Sequence, residues 1–247
     1  MKTLSAEQLY YYHDTLTVFM IGVCLFISYL GFSIKNNNYI KYISYGLISF
    51  AIAQEILDYT NRIFFDELYH FKLSIDLPLQ FCVIGFYFSI FGIYMATSDK
   101  KFNSKFEQFI FDCAYVLGFS GAFQALIAVD LTGINNMIGA FALNWAHTLI
   151  ILNVLWLIFA YNKRFHFKGI IHSFLFINII IIPVGIINYL LGANYMFICN
   201  PPNVDSSFFI GDWPYYLLYL EGIYFIYIII LYIPFSIEKK IKKTYNS

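Results

Sequence analysis

The sequence has few charged residues and no net charge. Only 12% of its 247 residues are Asp, Glu, Lys or Arg, against about 25% in soluble domains. In contrast, 60% are hydrophobic, and the mean hydropathy is +0.66. Basic and acidic residues are equal in number, so no overall field attracts nucleic acid or an acidic partner. The composition excludes a water-soluble domain and indicates an integral membrane protein.

Cysteine is scarce as well, and its spacing excludes the common metal-binding motifs. The four cysteines are Cys24, Cys82, Cys113 and Cys199, and no two of them form a CxxC pair. We therefore expect no metal and no cofactor. Only Cys199 falls in a loop, where it has no cysteine partner, so the sequence indicates no disulfide. No internal repeat is visible either.

Seven apolar stretches are present, each long enough to cross a bilayer, which takes about 20 residues. They cover residues 15–34, 40–61, 74–96, 106–128, 138–160, 169–191 and 214–235. Too little chain remains outside them for a soluble domain. We predict an all-α integral membrane protein, a seven-helix transmembrane bundle that forms a single domain over residues 1–247.

Basic residues predict the orientation of these stretches. Twelve of the fifteen lie in the segments that follow the first, third, fifth and seventh stretches. Because Lys and Arg are enriched in cytoplasmic loops, this bias predicts an N-terminus outside and a C-terminus in the cytoplasm. We expect a multi-pass protein of the cell membrane.

Several polar side chains lie inside the apolar stretches, where an ionisable group costs several kcal/mol. The ionisable ones are Glu55, Asp112, His147 and Glu221. With a helix rise of about 1.5 Å per residue, we expect Glu55, His147 and Glu221 in the outer half of the membrane and Asp112 in the inner half. The outer half also holds Gln80, Cys82, Gln124, Asn144 and Asn188. Side chains from separate helices at one depth suggest a polar chamber that opens outward.

Local spacing refines this hypothesis. Asn144 and His147 are three residues apart, so they share a helix face and Asn144 can orient the imidazole. Asp58 and Arg62 are four apart and are expected to form an ion pair. Gln80 and Cys82 are two apart and point in nearly opposite directions on a regular helix, unless Pro78 distorts the turn.

Structural interpretations compete with the functional one for these residues. A lone cysteine in an apolar helix is usually a small packing residue. His147 and Glu221 can form a buried hydrogen-bonded pair that only stabilises the fold. Asp112 breaks the outward pattern, and a pairing with a neighbouring basic group explains it without any function.

Five motifs occur in an order that resembles a known family. They are Leu77-Pro78-Leu79-Gln80-Phe81-Cys82, Gly121-Ala122-Phe123-Gln124-Ala125 followed by Asp130-Leu131, His147, Gly192-Ala193-Asn194-Tyr195-Met196, and Gly211-Asp212-Trp213-Pro214-Tyr215-Tyr216. Together they resemble the YwaF-like integral membrane family, to which vertebrate transmembrane protein 164 is related. The resemblance runs from about residue 55 to Pro234. One departure is Gln80, where the family usually has His.

The resemblance implies an activity. The vertebrate relative is regarded as a lipid acyltransferase with a Cys and a His as its proposed catalytic pair, and these correspond to Cys82 and His147 here. A more distant similarity is to membrane hydrolases. We also expect supporting or substrate-binding roles for Asn144, Glu221, Gln80, Gln124, Glu55, Asn194, Tyr195 and Trp213.

Two functions therefore remain open at the level of sequence. In the first, Cys82 attacks a lipid ester, His147 moves the proton and a thioester carries the acyl chain; Asn144, Gln124 or Asn194 then stabilise the oxyanion. In the second, a seven-helix transporter or sensor binds a small solute or protons through Glu55, His147 and Glu221. The loop from Asn194 to Asp212 is long for a helix connection, and we expect it to fold over the chamber as an ordered lid.

Overall fold

A computed structural model describes residues 3–127, 129, 131–201 and 209–245. These residues form seven α-helices: α1 (Ala6–Ser33), α2 (Asn37–Thr60), α3 (Phe81–Thr97), α4 (Ser104–Ile127), α5 (Met137–Ala160), α6 (Phe167–Leu191) and α7 (Tyr215–Tyr245). One π-helical turn (Asn61–Phe65) continues α2, and one 3₁₀ turn (Tyr195–Phe197) follows α6. No strand occurs in these ranges. The predicted all-α class is confirmed, and the seven helices fit the seven apolar stretches.

Five of these helices are long and apolar enough to cross a membrane: α1, α4, α5, α6 and α7. Helix α3 is apolar but has only 17 residues. This is the composition of a polytopic membrane protein. The orientation of its termini stays a prediction.

Three helices differ from the predicted stretches at one end. The seventh stretch was expected to end at residue 235, but α7 extends to Tyr245. The third stretch was expected to begin at residue 74, but α3 begins at Phe81, because Pro78 disfavours helix in the residue before it and the Leu77 N–H donates to the Tyr195 hydroxyl. The first helix begins at Ala6 and not at residue 15. It is fixed there by a capping box in which Ser5 and Gln8 bond to each other's backbone N–H.

The chain packs as two compact units. Unit 1 comprises residues 1–72 and 81–163, and unit 2 comprises residues 73–80 and 164–247. Unit 1 thus contains α1 to α5, and unit 2 contains α6, α7 and the segment before α3. The single domain expected over residues 1–247 stays a prediction.

Helix α5 is the centre of unit 1 and packs against α1, α2, α3 and α4. Successive helices of this unit alternate in direction. We call the end with the N-termini of α1, α3 and α5 the first end. There Leu4 N–H donates to the Asn135 carbonyl at 3.0 Å, and the Asn135 amide donates to the Asp66 carboxylate. The opposite end is the second end.

Glycines allow three helices of unit 1 to approach closely. A Cβ added at Gly85 of α3 would lie 3.0 Å from the backbone nitrogen of Gly118 in α4, and one added at Gly118 would lie 2.7 Å from Ile150 Cγ2 in α5. Small residues are the usual means by which membrane helices pack backbone to backbone. Gly85, Gly118 and Ile150 therefore mark one level, at which α3, α4 and α5 meet.

Hydroxyl groups join three helices at the second end of unit 1. The Tyr161 hydroxyl lies 2.9 Å from Ser44 Oγ of α2 and 2.8 Å from Thr97 Oγ1 of α3. The buried Trp156 indole N–H also donates to Ser44 Oγ, at 2.8 Å, and Ser44 donates to the Ile40 carbonyl. This row holds α2, α3 and α5 together.

In unit 2, α6 packs against α7. Arg164 binds the Glu238 carboxylate through two nitrogens, at 2.7 and 3.1 Å. Helix α6 ends at Gly192, whose φ of 59° is the left-handed conformation that glycine adopts without strain. Beyond it, Asn188 bonds both the backbone N–H and the carbonyl of Tyr195, which orders the turn after the helix.

Candidate functional site

His147 lies near the middle of α5 and is 9% exposed. Its Nδ1 is 2.8 Å from the Leu143 carbonyl of the preceding turn. A carbonyl only accepts hydrogen bonds, so Nδ1 carries the hydrogen and Nε2 keeps a lone pair. The backbone thus holds the ring in the form that a general base requires.

A polar cluster surrounds this ring between α1 and α5. The Asn144 amide nitrogen donates to Thr17 Oγ1 at 2.6 Å and to the His13 carbonyl at 3.3 Å. His13 and Asn144 are each 1% exposed. Asn144 lies three residues before His147 on α5, so the cluster begins less than one turn from the His147 ring.

Several polar atoms in this region are buried without a hydrogen-bond partner in the part of the chain that the structure describes. They are His13 Nε2, Asn144 Oδ1, Thr148 Oγ1 and, from α2, Gln54 Oε1. A buried polar atom without a partner costs about 1 to 3 kcal/mol, and native proteins keep few of them. Their concentration near His147 marks this region as a candidate site.

Sequence analysis missed His13, because the first stretch was taken to begin at residue 15. The signal that finds it is the capping box. Ser5 followed three residues later by Gln8 predicts a helix from Ala6, and that helix carries His13 in its second turn.

Cys82 is the second residue of α3, and the backbone N–H groups of Cys82 and Val83 lie beside its thiol. A Cβ added at Gly121 of α4 would lie 3.0 Å from Cys82 Cβ, so only glycine leaves room for Cys82 there. The N–H groups of a first helical turn favour a nearby negative charge, such as a developing oxyanion.

Cys82 and His147 lie at the same level of unit 1. Gly85, Gly118 and Ile150 meet one another. Three residues away on the same helices, about 4.5 Å of helix rise, lie Cys82 in α3, Gly121 in α4 and His147 in α5. All three displacements run toward the first end, because α4 is antiparallel to α3 and α5. His147 also extends the stripe of α5, formed with Ile150 and Val154, that faces Gly118.

The two side chains are not joined in this structure. Within the described ranges, no hydrogen bond connects the Cys82 sulfur with the His147 ring. Two clefts of about 480 and 80 Å³ lie at the second and first ends of unit 1, and neither is lined by Cys82 or His147. The geometric relation that the structure shows between Cys82 and His147 is therefore their shared level in unit 1.

The other predicted residues of unit 1 lie outside the cluster. Glu55 is half-buried and accepts a hydrogen bond of 2.7 Å from the Tyr87 hydroxyl. Gln124 is exposed. The side chain of α2 that does reach α5 is Gln54, whose amide donates to the Ala142 carbonyl at 3.2 Å. The expected Asp58–Arg62 ion pair is present at 2.8 Å.

In unit 2 the predicted residues mainly bond to backbone. Gln80 precedes α3 and accepts a hydrogen bond from the Met196 N–H at 2.9 Å, so it lies outside the regular helix, in agreement with the alternative in which Pro78 alters the turn. The Tyr195 hydroxyl donates to the Leu73 carbonyl at 2.7 Å. Asn194 accepts hydrogen bonds from the Cys199 and Asn200 N–H groups.

The remaining predicted residues of unit 2 lie on or before α7. The indole of Trp213 donates to the Ile198 carbonyl, and Glu221 is half-buried. Part of the expected lid, residues 202–208 with Phe208, lies outside the described residues. Its neighbour Phe209 contacts the rings of Phe197 and Tyr216. A role for this loop as a lid stays a prediction.

Comparison with known proteins gives one match. The model of the TMEM164 family matches residues 3–232, nearly the whole chain. No curated protein and no solved structure matches. The resemblance to transmembrane protein 164 is thus confirmed at the level of the family, whereas the YwaF-like label stays an expectation.

Proposed function

Because the chain belongs to the TMEM164 family, we propose that it is a membrane-embedded lipid acyltransferase or acyl-ester hydrolase with Cys82 as nucleophile and His147 as base. The observation that carries this proposal is the His147 ring, which the Leu143 carbonyl fixes with Nε2 as the free acceptor. The common level of Cys82 and His147 supports it. In the orientation favoured by the basic residues, both lie in the outer half of the cell membrane.

The first step forms an acyl-enzyme. His147 Nε2 accepts the thiol hydrogen, the Cys82 sulfur attacks the ester carbonyl, and the carbon–oxygen bond to the leaving alcohol breaks. The proton on His147 then passes to that alcohol. Among oxyanion donors, the backbone N–H groups in the first turn of α3 are available beside the sulfur, whereas the Asn144 and Asn194 amide nitrogens already bond to other groups.

The second step transfers the acyl group. An acceptor hydroxyl, or water in hydrolysis, gives its hydrogen to His147 Nε2 and attacks the thioester. The carbon–sulfur bond breaks and the thiol recovers the proton. Catalytic hydrogen bonds are often long in an empty site and shorten when substrate binds. The proposal therefore requires the Cys82 sulfur and His147 Nε2 to come within about 3 to 4 Å when lipid is bound.

Acyl labelling tests this function. The protein in lipid nanodiscs is incubated with a fluorescent phospholipid ester, and the labelled cysteine is identified by mass spectrometry. We expect Cys82→Ala to abolish labelling and His147→Ala to slow it by at least about 100-fold. Cys113→Ala is the matched control, because Cys113 is a buried cysteine of α4 at a different level. Either loss should leave the fold intact, since such truncations cost about 1 kcal/mol.

The transporter or sensor hypothesis predicts that different substitutions abolish the activity. In that case Glu55→Gln and Glu221→Gln abolish solute or proton movement in proteoliposomes, and Cys82→Ala has no effect. Labelling that persists in Cys82→Ala protein would refute the enzymatic proposal.

A further inference from the structure

The buried polar atoms between α1 and α5 have a definite hydrogen-bonding character. His13 Nδ1 is 3.3 Å from an Asp14 carboxylate oxygen, which only accepts, so the ring hydrogen lies on Nδ1 and Nε2 has the lone pair. The Asn144 amide nitrogen donates to two oxygens, which fixes the amide orientation and leaves Oδ1 as an acceptor. Both unpartnered atoms therefore require a hydrogen-bond donor.

The nearer of these two acceptors lies less than one helical turn from the proposed base. The bond from His147 Nδ1 to the Leu143 carbonyl directs the ring back by one turn, to the level of Asn144. There the Asn144 side chain contacts the His13 carbonyl and Thr17. A molecule that reaches His147 from the α1 side of α5 would therefore meet Asn144, which is in contact with the α1 backbone at His13.

Helix α1 controls access to these atoms. Within the described residues, it packs extensively against α5 and against no other helix. Its opposite face exposes large apolar side chains, including Val18, Phe19 and Leu25, as expected of a lipid-facing surface. Because His13 Nε2 and Asn144 Oδ1 are inaccessible in this interface, a ligand at these atoms requires a local opening between α1 and α5.

We propose that His13 and Asn144 form a subsite for the acyl acceptor, which binds a second hydrogen-bond donor of that molecule, a hydroxyl or N–H group, next to the hydroxyl that attacks the thioester. This inference rests on the proposed function. The acceptor's attacking oxygen forms the new ester bond, the carbon–sulfur bond to Cys82 breaks, and the proton passes through His147 to the sulfur. The second donor gives up no proton. It only pairs with atoms that are otherwise unsatisfied.

Competition between two acceptors tests the subsite. Protein acylated at Cys82 in nanodiscs is chased with a long-chain vicinal diol or with the primary alcohol of the same chain length, and release of label into ester and into free acid is measured for each. Water is the third acceptor and gives the acid. We expect the diol to react about tenfold faster than the alcohol or more, since a buried acceptor left unpaired is costly.

Substitutions at His13 test whether the preference for the diol comes from this subsite. His13→Leu should reduce the ratio of diol to alcohol rates toward one, and His13→Gln, which supplies an acceptor oxygen, should restore part of it. Thr15→Ala, an exposed change two residues away, should leave the ratio as in the native protein. The ratio is internal to each preparation, so it does not depend on how much of a variant folds.

The outcomes separate this subsite from the proposed function. Acylation at Cys82 with equal chase rates for diol and alcohol overturns the subsite alone, and so does a preference that survives in His13→Leu protein. Release of label only as free acid, whichever alcohol is present, also overturns it and leaves a hydrolase. If the native protein does not become acylated at all, the proposed function fails and the subsite fails with it.

Discussion

Helices α5 and α7 are both long and apolar enough to cross a membrane, yet their surroundings differ. Within the most hydrophobic segment of each, 61% of α5 is buried inside the protein but only 11% of α7. Near its start, α5 buries the small residues Gly139, Ala140 and Ala142, which allow close packing, whereas α7 presents mainly Ile and Tyr. The mean hydropathies of the two helices are similar, so hydropathy alone does not predict which of them is buried.

The two units also differ in how their polar side chains are hydrogen-bonded. In unit 1, polar side chains lie between helices, and several, such as His13 and Asn144, keep unsatisfied atoms. In unit 2, Gln80, Asn188 and Tyr195 are satisfied by backbone groups and order the chain outside the helices. We therefore assign the chemistry to unit 1 and a structural role to the polar residues of unit 2.

The largest expected effect tests whether α7 spans the membrane in the orientation that the basic residues favour. A reporter fused after Lys243 should be active only in the cytoplasm, an all-or-none result, and one inserted beside Asn203, which lies outside the described residues, only outside the cell. Compartment-specific fluorescence or phosphatase activity measures this. The opposite labelling would refute the seven-span topology.

A pair of glycine substitutions tests the difference in packing. Gly118→Ala should destabilise the protein by about 1 to 3 kcal/mol, because its Cβ would lie 2.7 Å from Ile150 Cγ2. Gly185→Ala in α6 meets nothing within 4 Å and should stabilise its helix by about 0.5 to 1 kcal/mol. Unfolding by dodecyl sulfate in mixed micelles gives both values. Equal effects would remove the distinction between interior and peripheral helices.

A tyrosine pair tests the structural role of polar groups in unit 2. Tyr195→Phe removes the hydroxyl that joins Leu73 O and Leu77 N–H and should cost about 1 to 2 kcal/mol. Tyr215→Phe, at a side chain that is 70% exposed, should change stability by less than about 0.5 kcal/mol. Hydrogen exchange of residues 73–80 provides a local measurement. If acyl labelling changed while exchange did not, Tyr195 would belong to the chemistry instead.

The smallest effect concerns the charged pair of unit 2. Arg164→Met should lower stability by about 1 kcal/mol or less, since pairs near water contribute little, and the loss should shrink at high salt. Lys242→Met, which also removes a partner of Glu238 but is more exposed, should lower it by less. The same micelle titration compares them. A larger loss from Lys242→Met would contradict the assignment of the bidentate Arg164 contact as the stronger one.

Much of the fold follows from local sequence patterns. Apolar runs predict seven helices, spacing predicts the shared face of Asn144 and His147, and a charge pair four residues apart predicts the Asp58–Arg62 contact. Each of these depends on residues within one or two turns. The position of His13 belongs to the same class, because the capping box at Ser5 and Gln8 determines where α1 begins.

Other features depend on residues far apart in the chain. The hydrogen bond that Gln80 accepts from the Met196 N–H joins residues 116 positions apart, and no local pattern contains that information. The common level of Cys82 and His147 depends on how Gly85 and Gly118 bring α3, α4 and α5 together. A sequence shows that such glycines exist but not which backbone they meet.

The hydroxyl row at the second end of unit 1 has one consequence for the direction of its hydrogens. Ser44 donates to the Ile40 carbonyl, so it has no hydrogen left for Tyr161, and Tyr161 must donate to Ser44. By the same reasoning Thr97 donates to Tyr161. The hydrogen bonds of this row therefore all run in one direction and end on the Ile40 carbonyl. Every hydroxyl hydrogen of the row is thus used in a bond within the protein. A molecule that needs a hydrogen from this row finds none, whereas a molecule that offers one can pair with His13 Nε2 or Asn144 Oδ1.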